Sequence, residues 1–140
     1  MSGRTPANVA TMLARDAFSR WLGVELLAAD EGACTLRMQV REEMVNGFGV
    51  AHGGIAFSLA DSAMAFACNT GEKVTVAVDN AVSYPAAIRA GDTLTAIARE
   101  EGASRRLAYY AVTVRNQGDD VVALFKGTVY RTNQVHQAND

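Results

Sequence analysis

The sequence predicts an α+β domain in which a curved antiparallel five-stranded sheet wraps one long buried helix, with a short helix at the N-terminus. Three observations carry this expectation. The stretch IAFSLADSAMAFACN, residues 55–69, contains neither glycine nor proline and is apolar nearly all round, so it reads as a deeply buried helix. Five segments alternate apolar and polar residues with a period of two, one before that helix and four after it. The breaks between the later segments, EEGASRR and NQGDD, have hairpin composition. A sheet curved around a single helix still has an uncovered edge and an outer face. Association of identical chains covers both, so at least a homodimer is expected.

Taken in order, Val9, Met12, Leu13, Ala17 and Trp21 fall at helical spacing and predict a short amphipathic helix from about residue 7 to 21. Cys34, Leu36, Met38 and Val40 alternate with Thr35, Arg37 and Gln39, the pattern of a half-buried strand. Residues 44–54 are loop-like, with Asn46-Gly47, Gly49 and Gly53-Gly54, and the long helix follows. Val74, Val76, Val78, Asn80, Val82 and Tyr84 then form one alternating row. Leu94, Ala96 and Ala98 form another, introduced by Gly91-Asp92. Ala108, Tyr110, Val112 and Val114 make a third, and Val121 to Arg131 a fourth. No repeat or linker divides the chain, so residues 1–140 are expected to be one domain, with 1–6 and 133–140 as frayed tails.

Composition excludes several function classes. With 13 basic and 15 acidic residues interspersed and a net charge of -2, no clustered basic face exists for nucleic acid. The N-terminus lacks the apolar core of a secretory signal, and no apolar run approaches the roughly 20 residues of a membrane span. Cys34 and Cys68 each lie within an apolar pattern and read as reduced core residues, which suits the cytoplasm. Neither belongs to a Cys-x-x-Cys or His/Cys cluster, so no metal site is expected.

The chemistry is concentrated in residues 46–69. Gly53-Gly54, preceded by His52, opens the helix, where backbone N–H groups are unsatisfied and carry partial positive charge. Glycine lets a ligand atom approach closely, so this terminus could stabilise the oxyanion of a tetrahedral intermediate; the alternative is that the glycines only shape the turn. Asp61 is the one charged residue of the helix. A lone carboxylate there needs a partner or a wet cleft, and burial would raise its pKa and make it a reactive base; the alternative is a solvent-facing position. Asp61 lies seven residues beyond Gly54, roughly 10 Å along the axis at 1.5 Å per residue. Two copies of the helix packed antiparallel would bring each Asp61 to the other chain's helix start, giving two shared sites.

Asn46 could hold a group in the site or simply form an Asn-Gly turn, and His52 could polarise the substrate or brace the glycine loop. Arg105 and Arg106 could meet the phosphates of a ligand or form a solvated hairpin, and His136 falls in the polar tail. Ser58 and Ser62 have no base beside them, and no nucleophile-elbow, phosphate-loop or dinucleotide motif occurs.

At Asn46-Gly47, His52-Gly53-Gly54, FSLAD at 57–61 and FACN at 66–69, the chain resembles the phenylacetic acid degradation (PaaI-like) thioesterases of the hotdog superfamily. AGDTLTA at 90–96 and VALFKGTVYR at 122–131 also resemble that family's strands, and the likeness extends from about residue 9 to 131. The resemblance implies the hotdog fold and a dimer that commonly pairs into a tetramer. It implies that Asp61 is general base or nucleophile, that the amide of Gly54 or Gly53 polarises the thioester carbonyl, and that Asn46 and His52 line the site. Thr75 and Ser83 are candidates for orienting water. No metal or redox cofactor is implied. One departure is the text Tyr84-Pro85-Ala86-Ala87-Ile88-Arg89, where members often carry an aromatic residue followed by Leu-Arg-Pro. An arginine contact to the nucleotide phosphates therefore does not carry over.

The expected reaction is hydrolysis of an acyl-CoA to the acid and coenzyme A, with Phe48, Phe57, Met64 and Phe66 lining a pocket for an aromatic or medium-length acyl group. By resemblance alone, phenylacetyl-CoA and its hydroxylated forms are the preferred substrates. Two rivals stand beside this. A non-catalytic acyl-CoA binding or sensing module would lack a reactive acid, and Asp61 counts against it. A hotdog enoyl-CoA hydratase or dehydratase would use a histidine and acid pair. His52 and Asp61 lie nine residues apart, and no second motif supports that chemistry.

Overall fold

The long helix forms where the sequence places it, as α3, Gly53–Ala67, and the rest of the chain is arranged to cover it. The computed structural model describes residues 6–137. Residues 1–5 and 138–140 of the expected tails lie outside the described residues. Two helices, α1 (Ala7–Arg15) and α2 (Ala17–Leu22), precede strands β1 (Glu25–Asp30) and β2 (Ala33–Gln39). After α3 come β3 (Lys73–Ser83), β4 (Thr93–Ala103), β5 (Leu107–Arg115) and β6 (Val121–Val135). The strands form one sheet in the order β1-β2-β4-β5-β6-β3, each pair antiparallel. β3, which directly follows α3, closes the far edge beside β6.

The core lies between α3 and the concave face of the sheet. Leu59, Met64 and Phe66 of the helix are fully buried with Leu36, Leu94, Val112, Val114 and Phe125 of the strands. Small residues, Ala96 and Ala98 of β4 and Ala60 and Ala63 of α3, are fully buried with them. The helix is not covered all round. Gly54, Ser58, Asp61, Ala65 and Cys68 are only partly buried, and their spacing of three and four places them on one face. A single stripe of mostly small residues therefore stays open, with Asp61 at its middle.

Five expectations change. The sheet has six strands, because β1 pairs with β2; a bulge between Leu26 and Ala28 interrupts the alternation that would have marked it. The N-terminal helix is two helices, since Asp16 leaves helical geometry (φ -92°, ψ 88°) and caps α2 by accepting from the Ser19 N–H at 2.9 Å. β4 runs through the expected loop as far as Ala103, with a bulge between Glu100 and Gly102. Residues 133–135 belong to β6, and the His136 N–H donates to the Glu72 carbonyl at 2.9 Å, so this part of the expected tail is pinned to the fold.

The fifth change concerns β3. The row Val74 to Tyr84 does not share a face, because bulges lie between Lys73 and Thr75 and between Ala77 and Asp79. The second bulge reverses the parity of the strand, as one extra residue exchanges inner and outer faces. Thr75 is buried before it, Asn80 and Val82 turn inward after it, and Val76 and Val78 stay exposed. Asn80 thereby reaches α3.

Candidate active site

The loop before α3 is shaped by its own polar groups. The Asn46 Oδ1 accepts from the Phe48 N–H at 2.9 Å and the Val50 N–H at 3.4 Å, and the Asn46 N–H donates to the Val50 carbonyl at 2.7 Å. Asn46 is thus the turn residue its Asn-Gly setting suggests. Its oxygen is spent on the loop, and its Nδ2 finds no partner among the described residues. Beyond the turn, the Ala51 N–H donates to the Ile88 carbonyl at 2.7 Å and the His52 N–H to the Met44 carbonyl at 2.8 Å. These bonds deliver His52 to the N-cap of α3.

His52 is a cap, and this decides which glycine amide is available. The Gly54 N–H donates to His52 Nδ1 at 2.9 Å, and the Ile55 N–H donates to the His52 carbonyl at 2.9 Å. The Gly53 N–H has no such partner among the described residues, so it is the free donor at the helix start. While Nδ1 accepts, it carries no proton, which leaves the Nε2–H of the exposed ring as an outward donor. The Tyr84 hydroxyl donates to the Gly53 carbonyl at 2.7 Å. A Cβ on Gly53 would lie 3.2 Å from that hydroxyl oxygen, so glycine is what lets the ring close over the terminus.

Asp61 sits two turns further along. Its Oδ1 accepts from Asn80 Nδ2 at 3.1 Å. Partial burial raises its pKa above the ordinary 3.8; the Asn80 hydrogen bond opposes the rise and the charge of Asp16 adds to it. Asp16 is close because α2 is locked onto α3. The Ser19 hydroxyl donates to Asp16 Oδ2 at 2.6 Å and lies 2.7 Å from the buried Ser62 hydroxyl, one residue beyond Asp61. Cys68, at the end of the same stripe, is pushed up to about 12 by burial, and Cys34 likewise, so both thiols remain protonated.

The other expected site residues are scattered. Phe57 is partly exposed one turn before Asp61 and packs edge-on against Phe125, with ring centroids 5.5 Å apart. Phe48 is 93% exposed at the loop tip. Met64 and Phe66 are fully buried, so in this chain they are core residues rather than the lining of an open pocket. Thr75 belongs to the opposite end of α3: its hydroxyl donates to the Lys73 carbonyl and its N–H to Asn69 Oδ1. Ser83 is exposed at the end of β3, paired with Leu124. Arg105 is exposed in the β4–β5 turn, and Arg106 donates to the Arg131 carbonyl at 3.2 Å. A cavity of about 810 Å³ lies at the C-terminal end of α3, lined in part by Cys68, Thr75, Glu100, Tyr110 and Arg131. It contains neither Asp61 nor the glycine pair, which are partly buried on the open side of α3.

Sequence reasoning missed Asn80, Tyr84 and Asp16 as parts of this site. One signal was available: Asn80 is the polar interruption in a row of valines. Nothing local marks the other two.

A helix wrapped by an antiparallel sheet, carrying one carboxylate on its open stripe and a free amide at its N-terminus, defines a hotdog-fold thioester hydrolase. The chain belongs to the thioesterase superfamily, whose model matches residues 48–123. It is similar to the acyl-coenzyme A thioesterase PaaI of Escherichia coli, with 37% identity over 131 residues, 94% of each chain. The solved structure of the E. coli PaaI protein, from the phenylacetic acid degradation operon, superposes with a TM-score of 0.89 at 33% identity, covering 94% of this chain and 99% of that one. That of smu.793 from Streptococcus mutans, bound to acetyl CoA, gives 0.75 at 26% identity, covering 78% and 88%.

Proposed function

We propose that the protein hydrolyses acyl-coenzyme A to a carboxylic acid and coenzyme A, at two sites shared by a homodimer. The observation that carries this reading is Asp61, a carboxylate of raised pKa on the open stripe of an otherwise apolar helix, one oxygen held by Asn80. Its similarity to PaaI and to an acetyl-CoA-bound relative supports a coenzyme A ester as substrate.

The two catalytic groups need two chains. Gly53 lies eight residues before Asp61, roughly 12 Å along the axis, too far for both to serve one carbonyl. β3 is an edge strand of 11 residues with exposed Val76 and Val78, and its Asn80 touches Asp61, so the free edge adjoins the open stripe. Pairing two β3 edges antiparallel about a two-fold axis lays the two stripes side by side and covers both. Exposed Tyr109, Leu124 and Tyr130 on the outer face suit further pairing into a tetramer.

In this dimer water attacks the thioester carbonyl carbon while Asp61 removes its proton. The oxyanion is held by the partner's Gly53 N–H, with Asn46 Nδ2 and His52 Nε2–H beside it. The C–S bond then breaks, and the thiolate takes the proton back from Asp61. A thioester is already activated toward water, so no metal or redox cofactor is required. Phe57 one turn from Asp61 and Phe48 at the loop tip suit an aromatic or medium-length acyl group, and similarity to PaaI makes phenylacetyl and hydroxyphenylacetyl esters the preferred substrates. Two free cysteines suit a cytoplasmic enzyme.

Free-thiol release from a panel of acyl-CoAs, with wild type and Asp61→Asn side by side, tests this. Release by wild type alone, fastest with phenylacetyl-CoA, is expected. No release from any ester would turn the reading to a binding module or an enoyl-CoA hydratase, which enoyl-CoA turnover separates.

A further inference from the structure

We propose that Asn80 is a positioning residue for Asp61, whose side-chain amide serves the carboxyl as donor when ionised and, by turning end for end, as acceptor when Asp61 carries the proton. The proposal rests on Asp61 acting as the base. Asn80 Nδ2 donates to Asp61 Oδ1 at 3.1 Å, while Asn80 Oδ1 is buried and has no hydrogen-bond partner. Buried carbonyl oxygens are normally paired, so an amide that leaves one idle is under some other requirement.

The surroundings are shaped for it. Asn80 pairs across the sheet with Gly127 of β6. A Cβ on Gly127 would lie 2.8 Å from Asn80 Oδ1 and run into the Met64 sulfur, so glycine makes the space in which the amide sits. In hydrolysis Asp61 is a carboxylate before attack, an acid while the tetrahedral intermediate lasts, and a carboxylate again once the thiolate is protonated. A carboxylate needs the amide N–H; the acid's O–H needs the amide oxygen. After the turn, the oxygen that is idle now is the one that accepts from the acid. Asp16, at the N-cap of α2, is the charged group that acts on Asp61, and Cys68 at the C-cap of α3 feels the Asp61 charge. Asp16 accepts from Ser19, and the Cys68 thiol donates to the Ala65 carbonyl at 3.4 Å, so neither serves the Asp61 carboxylate as a donor.

The test is Asn80→Leu, which keeps the branched shape and removes both polar atoms, read beside wild type and Asp61→Asn. Expected is a fall in kcat/KM at neutral pH of roughly 10–100-fold. The acid limb of its pH profile should move up by about one pH unit, because the donor that favours the charged form is gone. The melting temperature should stay close to that of wild type, since removal of the unpaired buried oxygen offsets the loss of the Asp61 hydrogen bond. Wild-type kcat/KM with an unmoved limb overturns the proposal. Should Asn80→Leu not fold, Asn80→Ser and Asn80→Ala decide: at equal melting temperature, the serine that can donate should be about tenfold more active, and equal activity overturns the proposal. An inactive Asp61→Asn beside an unaffected Asn80→Leu removes only this inference, whereas an active Asp61→Asn removes the base itself and this inference with it.

Discussion

Two asparagines meet α3 at opposite ends of the molecule's polar interior, and they are treated in opposite ways. Asn69, just beyond the helix, is saturated. Its Nδ2 donates to the carbonyls of Ala65 and Thr75 at 2.8 and 3.0 Å, and its Oδ1 accepts from the Thr75 N–H at 2.9 Å and lies 2.8 Å from His136 Nε2. It ties the helix, the start of β3 and the residue after β6 together. Asn80 makes one hydrogen bond, to Asp61, and leaves its oxygen buried and idle. A polar network with every group satisfied rigidifies a fold, while a half-satisfied one lowers stability and persists where chemistry needs the idle group. Counting their partners separates the saturated asparagine from the one that leaves an oxygen idle.

The sharpest break in that comparison is at Asp61. Asp61→Asn should lower kcat by about 10²–10⁴ with an unchanged circular dichroism spectrum. It should also stabilise the protein at neutral pH. The folded-state pKa of Asp61 lies above its unfolded value of 3.8, so its favourable contribution is complete below 3.8 and is lost as pH rises through the folded value. Urea midpoints should therefore favour the variant at pH 7 and converge with wild type toward pH 3.

Asn69→Ala should show the reverse behaviour. It strands the Thr75 backbone groups in the interior and should cost about 2–3 kcal/mol, read as a lower urea midpoint, with kcat of the folded enzyme unchanged. A large loss of kcat at full stability would erase the distinction. Gly127→Ala lies between the two. Its methyl group presses on Met64 and Asn80 and should cost about 1–3 kcal/mol while also reducing activity. The smallest effect is expected from Tyr84→Phe, which removes the hydroxyl from the Gly53 carbonyl. A rise in ΔG‡ of about 1 kcal/mol, several-fold in kcat/KM, should follow with no change in the pH profile.

Much of this was legible along the chain. The apolar run of α3, its single carboxylate, the His52-Gly53-Gly54 entry and the strands around them are local patterns that survive intact into the fold. β1 was not legible, because its bulge spoils the period of two, and the break at Asp16 was hidden within a continuous helical pattern. Met64 looked like a pocket residue because apolar side chains on a helix carry no label for which neighbour they will touch. It lies instead in the core, against Gly127.

What the sequence determined by itself is the kind of fold and the location of the helix carboxylate and the helix terminus, because periodicity, glycine and a misplaced charge act over a few residues. What the tertiary structure decided is which of the candidate groups can act. Capping by His52 occupies the Gly54 amide and leaves that of Gly53 free. A bulge in β3 reverses the strand's parity and carries Asn80 from an expected valine row to Asp61. Both outcomes depend on hydrogen bonds and register, which are settled by partners distant in sequence or by backbone geometry that side-chain type alone does not encode.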